Sequence, residues 1–155
     1  MLWRMASWGE FAAAEPEFAA RVRERLDAHR HKTLATLRVD GSPRISGIEC
    51  EIVDGELQFG SMPESRKGAD LRRDPRFALH SGSDDPPQDD PAGWTGDAKL
   101  AGRAVYVGEL SGELPGDLFR ADITEVVLTG LDESGTKLRI EMWRPSEPLR
   151  VIERS

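Results

Sequence analysis

The polar and apolar positions change period twice along the chain. Phe18, Val22 and Leu26 recur at four-residue spacing, with Arg21, Arg23, Glu24 and Arg25 on the other faces. That spacing predicts a helix over residues 15–30, packed by a single stripe. Glu15-Pro16-Glu17 places a proline and two acids in its first turn, where φ and the helix dipole favour them. Trp3, Trp8 and Phe11 precede it. Large apolar groups so near the start predict a strap over the domain or a surface for a subunit partner. From residue 33 the period becomes two. Thr33–Val39 and Arg44–Val53 read as strands joined by an Asp40-Gly41 turn, and Asp54-Gly55 leads into a third, Glu56–Gly60. Ser61–Asp74 breaks the alternation and reads as a short helix, anchored by Leu71 and ended by Asp74-Pro75.

Further on, Arg76–Ser81 is a short strand. Residues 82–97, acidic and proline-rich, predict an exposed loop insertion. Ala98–Leu110 is a long strand with Gly102 as a bulge. Leu114–Phe119 predicts a turn of helix. Asp122–Leu131, Lys137–Trp143 and Leu149–Glu153 are three more strand candidates. The expected class is mainly β (α+β), with six or seven antiparallel strands, an N-terminal helix and a short helix after the third strand. Short antiparallel strands with glycine-rich turns favour a closed or nearly closed barrel over a sandwich.

The chain has 155 residues, 38% of them hydrophobic, which is enough for one domain with one core over 1–155. Cys50 is the single cysteine. It excludes an internal disulfide framework and favours a cytoplasmic location. No apolar run reaches the ~18 residues of a membrane span, so no membrane partner is expected. The start MLWRMASWGEF has no apolar core of the signal-peptide kind.

The net charge of -7 is unevenly spread. Residues 1–80 hold 13 Lys+Arg and 13 Asp+Glu, whereas residues 81–155 hold 8 and 15. Within the neutral half, residues 61–80 carry five basic residues against three acids. An acidic chain with one local basic spot lacks the basic face that nucleic acid requires. It suits a small anion.

That spot coincides with Gly60-Ser61-Met62-Pro63-Glu64-Ser65-Arg66-Lys67-Gly68. A strand ends, hydroxyl residues follow, and a helix opens on adjacent cations. Free N–H groups, Ser61 and Ser65 hydroxyls, and the Arg66 and Lys67 side chains together suit a phosphate. Cations at a helix start oppose the dipole, at a cost of a few tenths of a kcal/mol unless an anion is present.

Other chemistry-bearing residues give weaker patterns. His29 and His31 read as cations at the end of the first helix. His80 ends a strand beside the acidic loop and reads as a group that could line a site. Cys50 reads as a small core residue. Glu49 and Glu51 share one face of the predicted strand. Asp84-Asp85 and Asp89-Asp90 lack the spacing of a calcium loop, so no metal is expected. Met142-Trp143-Arg144-Pro145 ends a strand with an amphipathic ring that stacks or seals the barrel end. There is no GxSxG, Walker loop or dinucleotide glycine fingerprint.

The order of elements, with Ser65-Arg66-Lys67, resembles the pyridoxamine 5'-phosphate oxidase-like split β-barrel flavoproteins from about Thr33 to Thr129. Its best stretch runs from Val39 to Leu71. A strand containing Pro43-Arg44-Ile45-Ser46 leads through Gly55 to a strand ending in Phe59-Gly60-Ser61, then to Ser-Arg-Lys and a leucine. The resemblance implies that Arg66 and Lys67 hold a cofactor phosphate, assisted by Ser61 and Ser65. It implies that the backbone of Ser46, Gly47 and Ile48 approaches the cofactor ring, with His80 and Lys99 on the substrate side. Ser46 stands where the oxidase has a flavin-contacting arginine. The family's C-terminal Arg-x-His pair is not evident in residues 149–154. The expectation is therefore an oxidoreductase of the superfamily acting on a small organic molecule, rather than on pyridoxamine phosphate. The implied cofactor is FMN, or alternatively the deazaflavin F420, held between the subunits of a homodimer. A non-catalytic carrier or sensor, or a haem-binding split barrel using His29, His31 or His80, is the alternative.

Overall fold

The computed structural model describes residues 4–110 and 115–155. Trp3 and Leu114 lie outside the described residues.

A helix not anticipated above opens the chain: α1 (Trp8–Ala14). The Ser7 hydroxyl accepts from the Glu10 N–H, while the Glu10 carboxylate accepts from the Ser7 N–H. This reciprocal cap is legible as Ser-x-x-Glu. The second helix, α2 (Pro16–Asp27), buries Phe18, Ala19, Val22 and Leu26, as the four-residue spacing requires. It stops short of residue 30 and is capped by Ala28. His29 and His31 therefore do not cap it. The carbonyls of His29 and Arg30 instead accept from the Lys32 ammonium.

Two hairpins follow. β1 (Lys32–Leu37) pairs with β2 (Pro43–Ile48), and β3 (Cys50–Val53) pairs with β4 (Glu56–Ser61). The second turn holds Asp54 and Gly55 at φ of 50° and 77°, the left-handed conformation that an Asp-Gly pair tolerates. Then come α3 (Arg66–Arg73), β5 (Arg76–His80), β6 (Asp97–Glu109), β7 (Asp117–Leu131), β8 (Leu138–Trp143) and β9 (Arg150–Arg154).

The hydrogen-bonded order is β2-β1-β5-β6-β7-β4-β3. Its two ends are consecutive in sequence, separated only by Glu49. The predicted strand Arg44–Val53 is thus two strands, and the break at Glu49 lets the sheet curl round on itself. Glu49 leaves the ladder to take Arg30 at 2.9 Å and His31 at 3.2 Å. It shares no strand face with Glu51, so the two carboxylates form no pair.

β7 divides the sheet. Its first residues pair with β4 and its last with β8, beyond which β9 is added. Ala6 fills the interval between them, bridging Ile123 through two backbone hydrogen bonds. Asp117–Phe119 is the start of β7 and not a turn of helix, because it pairs with Ser61, Gly60 and Phe59. Among the described residues nine strands form, more than the predicted six or seven, because one strand divides and all three late candidates form. By the same division the short helix follows the fourth strand. The architecture is nonetheless the antiparallel split barrel of the α+β class.

The core is closed at one end by the N-terminal segment. Phe11 packs against Trp8, Phe18 and Trp143 with ring centroids 5.2, 5.8 and 4.8 Å apart. Trp8 and Phe11 are thus a strap over their own domain, and Trp143 seals the barrel beneath it. α2 is tied to β8 by Arg21, which donates twice to the Glu141 carboxylate at 2.6 Å. Gly102 is the expected bulge. A Cβ there would lie 2.0 Å from the Asp122 carbonyl oxygen. Among the described residues no helix is long and apolar enough to cross a membrane.

Candidate anion-binding site

β4 ends at Ser61 and α3 begins five residues later, with Ser65 as its cap. The Ser65 hydroxyl accepts from the Gly68 N–H at 3.1 Å. The N–H groups of Arg66 and Lys67 therefore remain at the open end of the helix without an acceptor in the described structure. Neither side chain makes a hydrogen bond or ion pair among the described residues. Ser61 is 4% exposed, and its hydroxyl has no hydrogen-bond partner. A buried hydroxyl left unpaired costs about 1–3 kcal/mol. Gly68 permits the close approach, since a Cβ there would lie 2.8 Å from Ser61 Oγ and 2.9 Å from Ser65 Oγ. Ser61 at the end of β4 and the Ser65 cap thus meet at Gly68, on the same opening turn of α3 that carries Arg66 and Lys67. The chemistry of that set fits a phosphate. The helix carries no acid in its first turn to offset the two cations.

The opposite side of α3 is saturated. Asp70 is 3% exposed and accepts from Thr36 Oγ1 at 2.7 Å, from Arg44 Nε at 2.8 Å and from Arg73 at 3.3 Å. Burial pushes its carboxyl pKa up, but the hydrogen bonds from Arg44, Thr36 and Arg73 outweigh that and hold it below the ordinary value. Arg73 also donates to the Leu37 carbonyl. Arg72 lies over the Tyr106 ring at 3.9 Å and pairs with Asp117 at 3.4 Å. None of these partners emerged from the sequence. The only available signal for Asp70 was its place beside Leu71 on the buried side of a short charged helix.

The remaining expected residues fall on β2, β5 and β6. Thr33 pairs with both Gly47 and His80, and His80 pairs with Lys99. Directly opposed residues share a sheet face, so Gly47, Thr33, His80 and Lys99 form one outward row. Ser46 and Ile48 alternate to the other face, where Ile48 is buried. His80 Nδ1 accepts from the Gly82 N–H at 3.0 Å, and His29 Nε2 lies 2.8 Å from Asp84. Cys50 packs against the core, and burial raises its thiol pKa. Among the described residues no group of three or more His, Cys, Asp or Glu is placed to hold a metal ion.

A cavity of about 910 Å³ opens elsewhere, between α2, the 82–96 loop and the far end of β7 and β8. Its arginines are already spoken for: Arg21 by Glu141, Arg25 by Glu24, and Arg139 by Glu141 and Glu153. At the junction of β4 and α3, by contrast, the Ser61 hydroxyl and the Arg66 and Lys67 side chains have no partner among the described residues.

Fold and site together define a split-barrel protein with a cluster of unpaired donors where its third helix begins. The family model described as pyridoxamine 5'-phosphate oxidase matches residues 18–141, and the chain belongs to that family. No curated protein matches. Among solved structures, PhzG from Burkholderia lata, in complex with tetrahydrophenazine-1-carboxylic acid, is 14% identical with a TM-score of 0.62, over 94% of this chain and 92% of that one. A pyridoxamine 5'-phosphate oxidase-related, FMN-binding protein from Nostoc punctiforme is 12% identical with a TM-score of 0.61, over 91% and 96%. A haem-binding protein from Mycobacterium smegmatis is 18% identical with a TM-score of 0.58, over 81% and 57%. At these identities the likeness is one of fold.

Proposed function

We propose that the protein is an FMN-binding oxidoreductase that holds the cofactor phosphate at the start of α3 and acts on a small organic substrate. The observation that carries this reading is the buried, unpartnered Ser61 hydroxyl against Gly68 of a helix whose first two residues are cations without partners. Arg66 and Lys67 bind the phosphate as charge-assisted donors, with Ser61 and Ser65 assisting. The backbone of Ser46, Gly47 and Ile48 orients the ring, and His80 and Lys99 face the substrate from the outward row. Bound FMN supplies hydride chemistry, so the protein need only bind, orient and exclude water. The deazaflavin F420 presents a phosphate to the same donors and is the alternative cofactor.

The proposed assembly is a cytoplasmic homodimer. The outer face supports it, since Ile45, Ala35, Ala78 and Ala101 form a cross-strand row of small apolar side chains with Ile45 75% exposed. The haem alternative is disfavoured by the histidines. His29 is held by Asp84, His31 lies against Glu49, and His80 receives the Gly82 N–H.

Titration of FMN into the purified protein, followed by flavin fluorescence, tests the site. Arg66→Ala with Lys67→Ala should weaken FMN by at least about a hundredfold, near 2.7 kcal/mol. Unchanged affinity refutes the assignment, and a Soret band in place of a flavin spectrum selects haem. Stopped-flow oxidation of the reduced cofactor by quinones and enones separates enzyme from carrier, a carrier showing only the protein-free rate. Sedimentation reads the dimer directly.

A further inference from the structure

We infer that Asp70 is a positioning residue for the phosphate clamp: through Thr36, Arg44 and Arg73 it sets the angle at which α3 presents Arg66 and Lys67. The inference rests on the phosphate reading above. It begins from charge spacing. Asp70 stands four residues after Arg66 and three after Lys67, the intervals at which helical carboxylates pair with cations. It pairs with neither. Its two oxygens are occupied by donors from three elements: the Thr36 hydroxyl on β1, the Arg44 guanidinium on β2 and the Arg73 guanidinium on α3 itself.

Two consequences follow. A carboxylate engaged by Thr36, Arg44 and Arg73 makes no ion pair with the cations one turn away, so the clamp stays available to an external anion. The helix is also fixed about its axis from both sides. Gly68 abuts Ser61 and Ser65 on one side, and Asp70 is tied into the barrel on the other. Arg44 precedes Ser46 by two residues on β2. The same carboxylate therefore holds the phosphate-binding turn against β2. Simple packing does not account for a buried carboxylate here, because an apolar residue would dock the helix without the desolvation cost.

The experiment compares FMN with riboflavin, which carries the same ring without a phosphate. Asp70→Asn keeps the size and removes the charge. FMN affinity should fall about tenfold, near 1.4 kcal/mol, while riboflavin affinity stays within about twofold. In the Arg66→Ala, Lys67→Ala background the same substitution should leave FMN affinity unchanged. Equal weakening of both ligands, or a full additional loss in that background, overturns the positioning role. An Arg66→Ala, Lys67→Ala protein that binds FMN as tightly as the parent overturns the phosphate reading, and the role of Asp70 with it. If the Asn variant does not fold, Thr36→Val is scored by the same criteria. It removes one donor and should cost FMN alone about threefold.

Discussion

Replacing Arg21 by alanine tests how the second helix is held to the split end of the barrel. Glu141 on β8 is 3% exposed and accepts twice from Arg21 at 2.6 Å. The Arg21 hydrogen bonds lower its carboxyl pKa more than burial raises it. Breaking a fully buried ion pair from one side costs about 3–5 kcal/mol, because the surviving charge is left in low dielectric. Two features reduce that here. The Arg21 side chain is 48% exposed, so part of its attraction is screened, and Arg139 remains 3.5 Å from the same carboxylate. The expected loss at pH 7 is about 2 kcal/mol, which for a domain of this size lowers Tm by about 6 °C.

The pH dependence fixes the cause. A carboxyl whose pKa is depressed in the folded state contributes stability above its unfolded value, and that contribution disappears as pH falls through the folded value. For Glu141 the ordinary value is 4.5. The gap between parent and Arg21→Ala should therefore be greatest near neutral pH, shrink as pH falls and Glu141 protonates first in the variant, and be gone once pH lies below the parent's depressed value. Urea unfolding at a series of pH values measures it. A gap under about 0.5 kcal/mol at pH 7 refutes the ion-pair argument. So does a gap that persists unchanged at pH 3, since lost contact of the Arg21 guanidinium with the Phe18 ring would produce that instead.

Three other substitutions or reactions probe the fold. Phe11→Ala empties the centre of the Trp8, Phe18 and Trp143 cluster and should cost about 3–5 kcal/mol by chemical denaturation. A loss under 1 kcal/mol would mean that α1 is not part of the core. Gly102→Ala drives a methyl group into the Asp122 carbonyl and should cost about 3 kcal/mol or abolish soluble expression. Cys50, its pKa raised by burial, should react with iodoacetamide at least about tenfold more slowly in the native protein than in urea.

Local signals account for what the sequence made legible. The stripe at Phe18, Val22 and Leu26, the Asp-Gly turns and the Gly102 bulge depend on residues within a few positions of one another. All of them appear in the structure. The break at Glu49 was not legible, because alternation continues through it on both sides. Glu49 at the break pairs with Arg30 and His31, which lie outside any window centred on residues 44–53. The capping box at Ser7 and Glu10 is present in the sequence, but the aromatic residues around it read equally as a strap over the domain or a surface for a subunit partner. Asp117–Phe119 read as a helical turn because its strand partner, the end of β4, is more than fifty residues away.

The same division runs through the site. Ser65, Arg66, Lys67 and Gly68 are contiguous, and a strand-to-helix junction written in one stretch of sequence announces its own donors. Their opposite number is not contiguous. Asp70 meets Thr36 from 34 residues away and Arg44 from 26. Read along the chain alone, it looks like the natural salt-bridge partner of Arg66 at i,i+4. That local reading would cancel the clamp. Only the barrel, by delivering a hydroxyl and a guanidinium to the inner side of α3, turns the carboxylate away and leaves the cations unpaired. A charge pattern near a helix start therefore predicts an anion site only when the acids beside it are satisfied elsewhere. In this chain the local basic excess survives folding because Asp70, the one acid within the helix, is occupied from inside.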